Sequence, residues 1–214
     1  KGRLVVLDNP CIMGIINVTP DSFVSDSRKM NIEEALHKVE RMINEGAVFV
    51  DVGGQSTRPG SILVSAEEEL QRVLPIVEGI AQKFPEIFIS IDTFYARVAA
   101  AAIEVGAHLV NDISAGYLDA AMLSTVANLE VPYVAMHMKG TPQTMQQYAV
   151  YEDVVKEVLD YCIERLNACR KAGIKDIIID PGFGFSKTIT HNFKLLQQLS
   201  IFHMLDCPLL VGLS

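Results

Sequence analysis

Hydrogen-bonding or ionisable side chains stand at the ends of the short apolar runs of this sequence. In chain order they are Asn17, Asp51, Asp92, Asn111, His137, Asp180 and Ser214. Any one strand-end Asp or Asn is equally well explained by capping of the loop that follows it. The whole set favours a shared site, because the C-terminal ends of the parallel strands of a barrel form its active face.

Asp92 and Asp180 carry the strongest chemical signal in this set. A buried carboxylate needs hydrogen-bond donors, and the amide-plus-amino edge of a pterin or purine supplies them. Asn111 suits the same edge, because its amide offers both a donor and an acceptor. Met136, just before the strand-end His137, suits an aromatic ligand or the core. A metal site built from the carboxylates is the competing interpretation, and it lacks a supporting histidine cluster such as H-E-x-x-H.

Three loops after these runs are suited to ligand binding. Residues 18–28 and 53–60 are polar, contain Gly or Pro, and are longer than most βα loops. Arg58 could meet a carboxylate or a phosphate there, or it is a surface arginine in a turn. The glycines of the third loop, residues 181–185, let the backbone approach a flat ligand, with Phe185 near its ring.

The elements that must position these residues alternate between strands and helices. Continuous Ile- and Val-rich runs predict seven parallel strands covered on both faces, over residues 12–17, 48–52, 87–92, 108–112, 133–137, 176–180 and 209–213. Apolar residues near a 3.6-residue period predict helices over 31–45, 66–83 and 152–172. This rhythm favours an α/β TIM (β/α)8 barrel over a doubly wound sheet, and no G-x-G-x-x-G follows the first strand.

Composition excludes several classes of protein. The 214 residues are 50% hydrophobic, which excludes disorder. The net charge of −8 argues against a nucleic-acid partner. No run approaches the ~18 apolar residues of a transmembrane helix. The four cysteines form no C-x-x-C pair, so we expect reduced thiols and a cytoplasmic protein. We expect residues 1–214 to form one barrel domain.

Several motifs, taken together and in order, resemble the dihydropteroate synthase family. They are MGIINVTPDSF (13–23), DVGGQSTRPG (51–60), NDI (111–113), MHMKGTP (136–142), DPGFGF (180–185) and LVGLS (210–214). The resemblance runs from about Cys11 to the end of the sequence. It implies a TIM-barrel transferase of folate synthesis that joins 6-hydroxymethyl-7,8-dihydropterin diphosphate to p-aminobenzoate and releases pyrophosphate.

The resemblance also implies roles for individual residues. Asp92, Asn111 and Asp180 map to the pterin site, with Asp92 and Asp180 as the catalytic carboxylates and Met136 and Phe185 beside the ring. Asn17 matches the position near Mg²⁺ and the diphosphate. The p-aminobenzoate and sulfonamide side maps to Phe23, Thr57, Arg58, Pro59 and Ser214. The expected cofactor is Mg²⁺, and the expected assembly is a homodimer inhibited by sulfonamides.

The sequence departs from the family pattern at Gln55 and at Phe94 and Tyr95, where smaller or basic residues are common. Gln55 stands where a Glu is usual. The family's Ser-Arg-Lys-Ser motif would continue past Ser214, so we expect roughly 50–70 further residues to complete the barrel after strand 7. Arg58 and Lys187 are the nearest cations for a diphosphate. Two alternatives stay open: a methyltetrahydrofolate-dependent methyltransferase and a non-catalytic pterin-binding barrel.

Overall fold

The computed structural model describes residues 4–18, 28–55 and 63–212. Strands and helices alternate along them, as the sequence predicts. The strands are β1 (Ile12–Asn17), β2 (Ala47–Gly53), β3 (Phe88–Asp92), β4 (Leu109–Asp112), β5 (Tyr133–Met136) and β6 (Ile177–Asp180). The helices are α1 (Arg28–Asn44), α2 (Ala66–Lys83), α3 (Ala96–Glu104), α4 (Met122–Leu129), α5 (Val154–Ala172) and α6 (Ile189–Gln197). Short 3₁₀ helices cover Met145–Tyr148 and Leu199–Leu205.

The described residues form two compact units, the first from residues 4–55 and 63–111. In it the strands pair in parallel from β1 to β2, β2 to β3 and β3 to β4. The central strands are apolar on both faces, and Val50, Val52, Ile89 and Ile91 are fully buried. This burial explains why the runs read as continuous apolar stretches and do not alternate with polar residues.

The second unit contains residues 112–212 of the described chain. Its strands β5 and β6 pair in parallel, and α5 packs against both of them. Cys162 and Cys169 lie on the buried face of α5 as free thiols, two turns apart. They pack as small apolar side chains.

Local signals set the ends of the helices. The Ser65 hydroxyl accepts from the Glu68 N–H at 3.2 Å and so caps the N-terminus of α2. The reciprocal half of a capping box is replaced by an ion pair, because Glu68 turns its carboxylate to Arg72. Gly173 ends α5 in the left-handed region at φ 98°.

The predicted seventh strand is shorter than expected. Within the described residues, which end at 212, it is a single parallel bridge between Leu209 and Ile179. The Pro208 carbonyl accepts from Ile179 N at 2.9 Å, but Pro208 has no N–H to extend the ladder. None of the described helices is both long enough and apolar enough to cross a bilayer.

Candidate active site

Sheet register places four predicted or flanking site residues in one row of the first unit. Asn17 pairs with Gly53, Gly53 with Asp92, and Asp92 with Asn111. The row lies at the C-terminal ends of β1 to β4, the edge at which parallel α/β sheets bind their ligands. Asn17 and Asn111, which are far apart in the sequence, therefore lie at the same edge of the sheet.

Gly53 allows the Asp92 carboxylate to lie against the backbone of β2. A Cβ built on Gly53 would stand 3.0 Å from Asp92 Oδ2 and 3.4 Å from Asp92 Cβ. A larger residue at position 53 would therefore press on the carboxylate and change its orientation. Asp92 itself is half-buried.

A buried amide–carboxylate pair lies beside this row. Asn111 Nδ2 donates to Asp51 Oδ2 at 2.9 Å, and both residues are buried. Burial raises the pKa of Asp51, and the hydrogen bond from Asn111 opposes that shift. Within the described part of the chain, Asn111 Oδ1 has no hydrogen-bond partner. A buried acceptor in this state is suited to a donor on a ligand.

In the second unit, Met136 and Asp180 are register partners at the ends of β5 and β6. Both are buried. Asp180 Oδ1 accepts from the Gly182 N–H at 2.7 Å. The backbone carbonyl of Asp180 accepts from the His137 N–H at 2.9 Å. The carboxylate is therefore oriented by its own loop before any ligand arrives.

The loop after β6 packs tightly against the end of β5. Gly182 has φ 71°, and a Cβ there would lie 2.0 Å from the His137 carbonyl oxygen. No other residue type fits this approach, which explains the first glycine of the G-x-G pair. Phe185 follows, half-buried, with its N–H donating to the Gly182 carbonyl at 3.2 Å.

Lys187, predicted from the sequence as a cation for a diphosphate, is buried in this loop with 4% of its surface exposed. Its Nζ lies 2.8 Å from His137 Nδ1. Burial lowers the pKa of Lys187 to about 7, and nearby Asp180 opposes that shift. Burial, then the Lys187 charge, lowers the pKa of His137 to about 2, so the imidazole is neutral at physiological pH.

Gln55, noted in the sequence as a departure from a family pattern, hydrogen-bonds to Val64 and to Glu69. Its Nε2 donates to the Val64 carbonyl at 3.0 Å, and its Oε1 accepts from Val64 N at 3.1 Å. The same Nε2 donates to buried Glu69 at 2.7 Å. Burial raises the pKa of Glu69, while Thr93 and Gln55 lower it. The sequence singles out Gln55 but does not predict that Val64 and Glu69 are its hydrogen-bond partners.

The remaining predicted site residues are Phe23, Thr57, Arg58, Pro59 and Ser214, and they lie outside the described residues. Asn17 is exposed at the end of β1. In the part of the chain that the structure describes, no group of three or more His, Cys, Asp or Glu side chains is placed to hold a metal ion.

The sequence pattern of the pterin binding enzyme family matches residues 13–214. The chain is 46% identical to the dihydropteroate synthase of Escherichia coli over 216 residues, covering 100% of this chain and 76% of that relative. The chain belongs to the dihydropteroate synthase family. The chain is therefore an enzyme of the transferase class and acts in folate synthesis.

Solved dihydropteroate synthases share the fold. The Yersinia pestis enzyme, solved with a sulfonamide drug, matches with a TM-score of 0.92 and 41% identity, over 100% of this chain and 78% of that one. The Xanthomonas albilineans enzyme, solved with 4-aminobenzoic acid, matches with a TM-score of 0.89 and 43% identity, over 100% and 76%. These matches confirm the predicted α/β TIM-barrel class.

Proposed function

We propose that this dihydropteroate synthase family member joins 6-hydroxymethyl-7,8-dihydropterin diphosphate to p-aminobenzoate, with the pterin bound by Asp92, Asn111 and Asp180. The observation that carries the assignment is the register row in which Asp92 and Asn111 are partners. The two residues offer a carboxylate and an amide with a spare acceptor, the complement of a pterin's donor edge. Asp180 is the matching strand-end carboxylate of the second unit.

The proposed reaction breaks the bond between the pterin methylene carbon and the diphosphate oxygen. Pyrophosphate leaves, the aryl amine nitrogen bonds to the same carbon, and the amine releases one proton. Positive charge develops on the pterin as the carbon–oxygen bond breaks. Carboxylates held in place before reaction stabilise that charge without reorganisation, and this is the role proposed for Asp92 and Asp180. An aryl amine is neutral at pH 7, so no strong base is required.

Met136 and Phe185 supply apolar surface to the pterin ring in this proposal. Met136 is buried at the end of β5, and Phe185 is half-buried after β6. Apolar walls exclude water, which would otherwise compete with the amine for the cationic carbon. Phe23, Thr57, Arg58, Pro59 and Ser214 are proposed for the p-aminobenzoate and sulfonamide side.

We propose Mg²⁺ as the cofactor and Asn17 as its protein ligand. Mg²⁺ prefers oxygen ligands, retains waters and is commonly bound through few protein groups together with substrate phosphates. An exposed amide at the end of β1, in the row with Asp92, fits that donor set. When bound, the ion would neutralise charge on the diphosphate leaving group. Removal of divalent ions with EDTA is expected to abolish turnover, and added Mg²⁺ to restore it.

We propose that the protein is a cytoplasmic homodimer. Ile189, Phe193 and Leu196 form an exposed apolar stripe along one side of α6, which suits contact with a second copy. The four cysteines are free, as suits a reducing compartment. Sedimentation velocity should give twice the chain mass, and Phe193→Glu should shift it toward one chain mass. A monomer at all concentrations would contradict the proposed assembly.

Turnover of the two substrates, followed by chromatography of the pteroate product, tests the proposed activity directly. Asp92→Asn should abolish or strongly reduce turnover, whereas Asp160→Asn, on the exposed face of α5, should not. Pterin binding without product would favour the non-catalytic barrel. Methyl transfer from methyltetrahydrofolate without pteroate formation would favour the methyltransferase.

A further inference from the structure

Lys187 makes three hydrogen bonds from one buried ammonium. Its Nζ lies 2.8 Å from His137 Nδ1, 2.8 Å from the Gly182 carbonyl oxygen and 3.0 Å from the Phe185 carbonyl oxygen. An ammonium group has three N–H donors and no acceptor, so these three partners use all of them. In this state His137 accepts through Nδ1 and carries its own proton on Nε2.

The three acceptors belong to two segments that must keep a fixed relationship. Gly182 and Phe185 lie in the loop that begins at Asp180, and His137 directly follows β5. The lysine therefore joins the β6 loop to the end of β5 at the point where Gly182 approaches the His137 carbonyl most closely. Asp180 and Phe185, which the proposed function assigns to the pterin, are the two ends of the fixed loop segment.

Burying this charge is costly, so a packing role alone does not explain it. Burial lowers the pKa of Lys187 to about 7, from an ordinary value of 10.5. The charged and titratable groups facing it are His137 and Lys139 after β5, Asp180 on β6, Cys162 on α5 and His191 on α6. An apolar side chain of similar length would fill the same space without the desolvation cost.

Direct contact with the diphosphate is not consistent with this placement. A phosphate-binding lysine needs donors that are free to turn toward the anion. The Lys187 donors already satisfy two carbonyls and an imidazole, and the side chain is 4% exposed. The ammonium therefore acts on the loop backbone and through it on the residues that the loop carries.

We propose that Lys187 is a positioning residue for pterin recognition: its ammonium fixes the Gly182 and Phe185 carbonyls, and so holds Asp180 and Phe185 in the geometry that the pterin requires. The inference rests on the pterin site proposed above. A loop that is ordered before binding does not have to be ordered by the ligand, and affinity rises accordingly.

Steady-state kinetics of Lys187→Met separate this role from a general loss of stability. Methionine keeps the length and apolar volume of the side chain but has no donor. At pH 6.5, we expect the KM for the pterin diphosphate to rise about tenfold, as charged hydrogen bonds of this kind imply. The KM for p-aminobenzoate should stay within twofold of wild type.

Lys139→Met is the matched control. Its ammonium is also close to β5, but it donates to the Val150 carbonyl at 3.0 Å and to Glu157 at 2.7 Å, neither of which is in the β6 loop. Both KM values should remain within twofold of wild type in this variant. A rise in the pterin KM equal to that of Lys187→Met would overturn the proposal, because any nearby charge would then suffice.

The other outcomes also decide. A fall in kcat with both KM values unchanged would indicate fewer active molecules, which is a structural effect and overturns the positioning role. Absence of turnover in the wild-type protein would overturn the proposed function itself. Should Lys187→Met not fold, His137→Leu removes one of the three acceptors, and we expect about a threefold rise in the pterin KM. An unchanged KM in that variant would overturn the inference.

Discussion

Asn111 donates its side-chain amide to Asp51 Oδ2 at 2.9 Å, across 60 residues of sequence. The other end of the amide, Asn111 Oδ1, is buried and has no hydrogen-bond partner in the described chain. Asp51 therefore holds the nitrogen end of the Asn111 amide, which leaves the oxygen end for a ligand donor in the proposed pterin site.

Asn111→Asp should destabilise the protein at neutral pH. The substitution puts a second carboxylate against buried Asp51, whose pKa burial already raises, so one of the two must hold a proton. When the pKa of a carboxyl group is higher in the folded state than in the unfolded state, the free energy of unfolding falls as pH rises toward and through the folded-state pKa. Chemical denaturation at pH 5 and pH 7.5 should therefore show a larger deficit at the higher pH, on the order of 2 kcal/mol or more.

The charge-swapped double variant Asp51→Asn with Asn111→Asp is the control for that experiment. It restores one amide and one carboxylate to the pair, so most of the lost stability should return. A double variant as unstable as Asn111→Asp alone would show that the hydrogen bond is not the cause.

Asp180→Asn should weaken binding of a pterin ligand at least about tenfold while the fold survives. The carboxylate accepts from Gly182 N at 2.7 Å, and an amide there leaves one donor or acceptor unmatched when the ligand binds. Isothermal titration measures the affinity, and thermal unfolding monitors the fold. Asp176 is exposed and directly precedes the N-terminal end of β6, so Asp176→Asn should bind the pterin ligand as wild type does. Affinity of Asp180→Asn within twofold of wild type would remove Asp180 from the site.

Gln55→Leu should raise the KM for p-aminobenzoate more than the KM for the pterin diphosphate. Gln55 and Val64 flank residues 56–62, which carry Thr57, Arg58 and Pro59, and the Gln55 amide joins the two ends of that segment. Leucine removes these bonds and leaves Glu69 without its amide donor, at a cost of roughly 1–3 kcal/mol in stability.

Gln82→Leu is the control for Gln55→Leu, because Gln82 is exposed on α2 and its amide donates to Glu78 one turn earlier on the same helix. It should change neither KM. Equal increases of both KM values in Gln55→Leu would indicate a general loosening of the unit and would contradict a role specific to p-aminobenzoate.

The stability of the wild-type protein should rise with pH just above neutrality because of Lys187. Its pKa is about 7 in the folded state against 10.5 for an unperturbed lysine, so the unfolded chain binds more protons between those values. The free energy of unfolding then increases with pH by up to about 1.4 kcal/mol per unit. Denaturant titrations at pH 7 and pH 8.5 should show this slope in wild type and its absence in Lys187→Met. Parallel slopes in the two proteins would place the Lys187 pKa elsewhere.

Much of this protein is determined by local sequence signals. The apolar runs predicted the β1 to β6 strands to within a residue or two, because burial on both faces of a parallel strand requires continuous Ile and Val. The 3.6-residue period of apolar side chains predicted the bounds of α2 and the end of α5, and the structure places the Ser65 and Gly173 caps at those bounds. The apolar runs also predicted that Asp92, Asn111 and Asp180 lie at strand ends, because each run ends at or beside one of these residues.

Tertiary structure alone decided which of these residues act together. The sequence presents Asp51 as one more strand-end carboxylate, Gln55 as a departure from a motif and Lys187 as a cation near a loop. Their partners Asn111, Glu69 and His137 lie 60, 14 and 50 residues away. Such pairs depend on strand register and on how a loop folds back over a neighbouring strand, and neither leaves a periodic trace in the sequence. A lysine's burial, and with it the pKa near neutrality that distinguishes Lys187, follows from that packing and from no property of the residue itself.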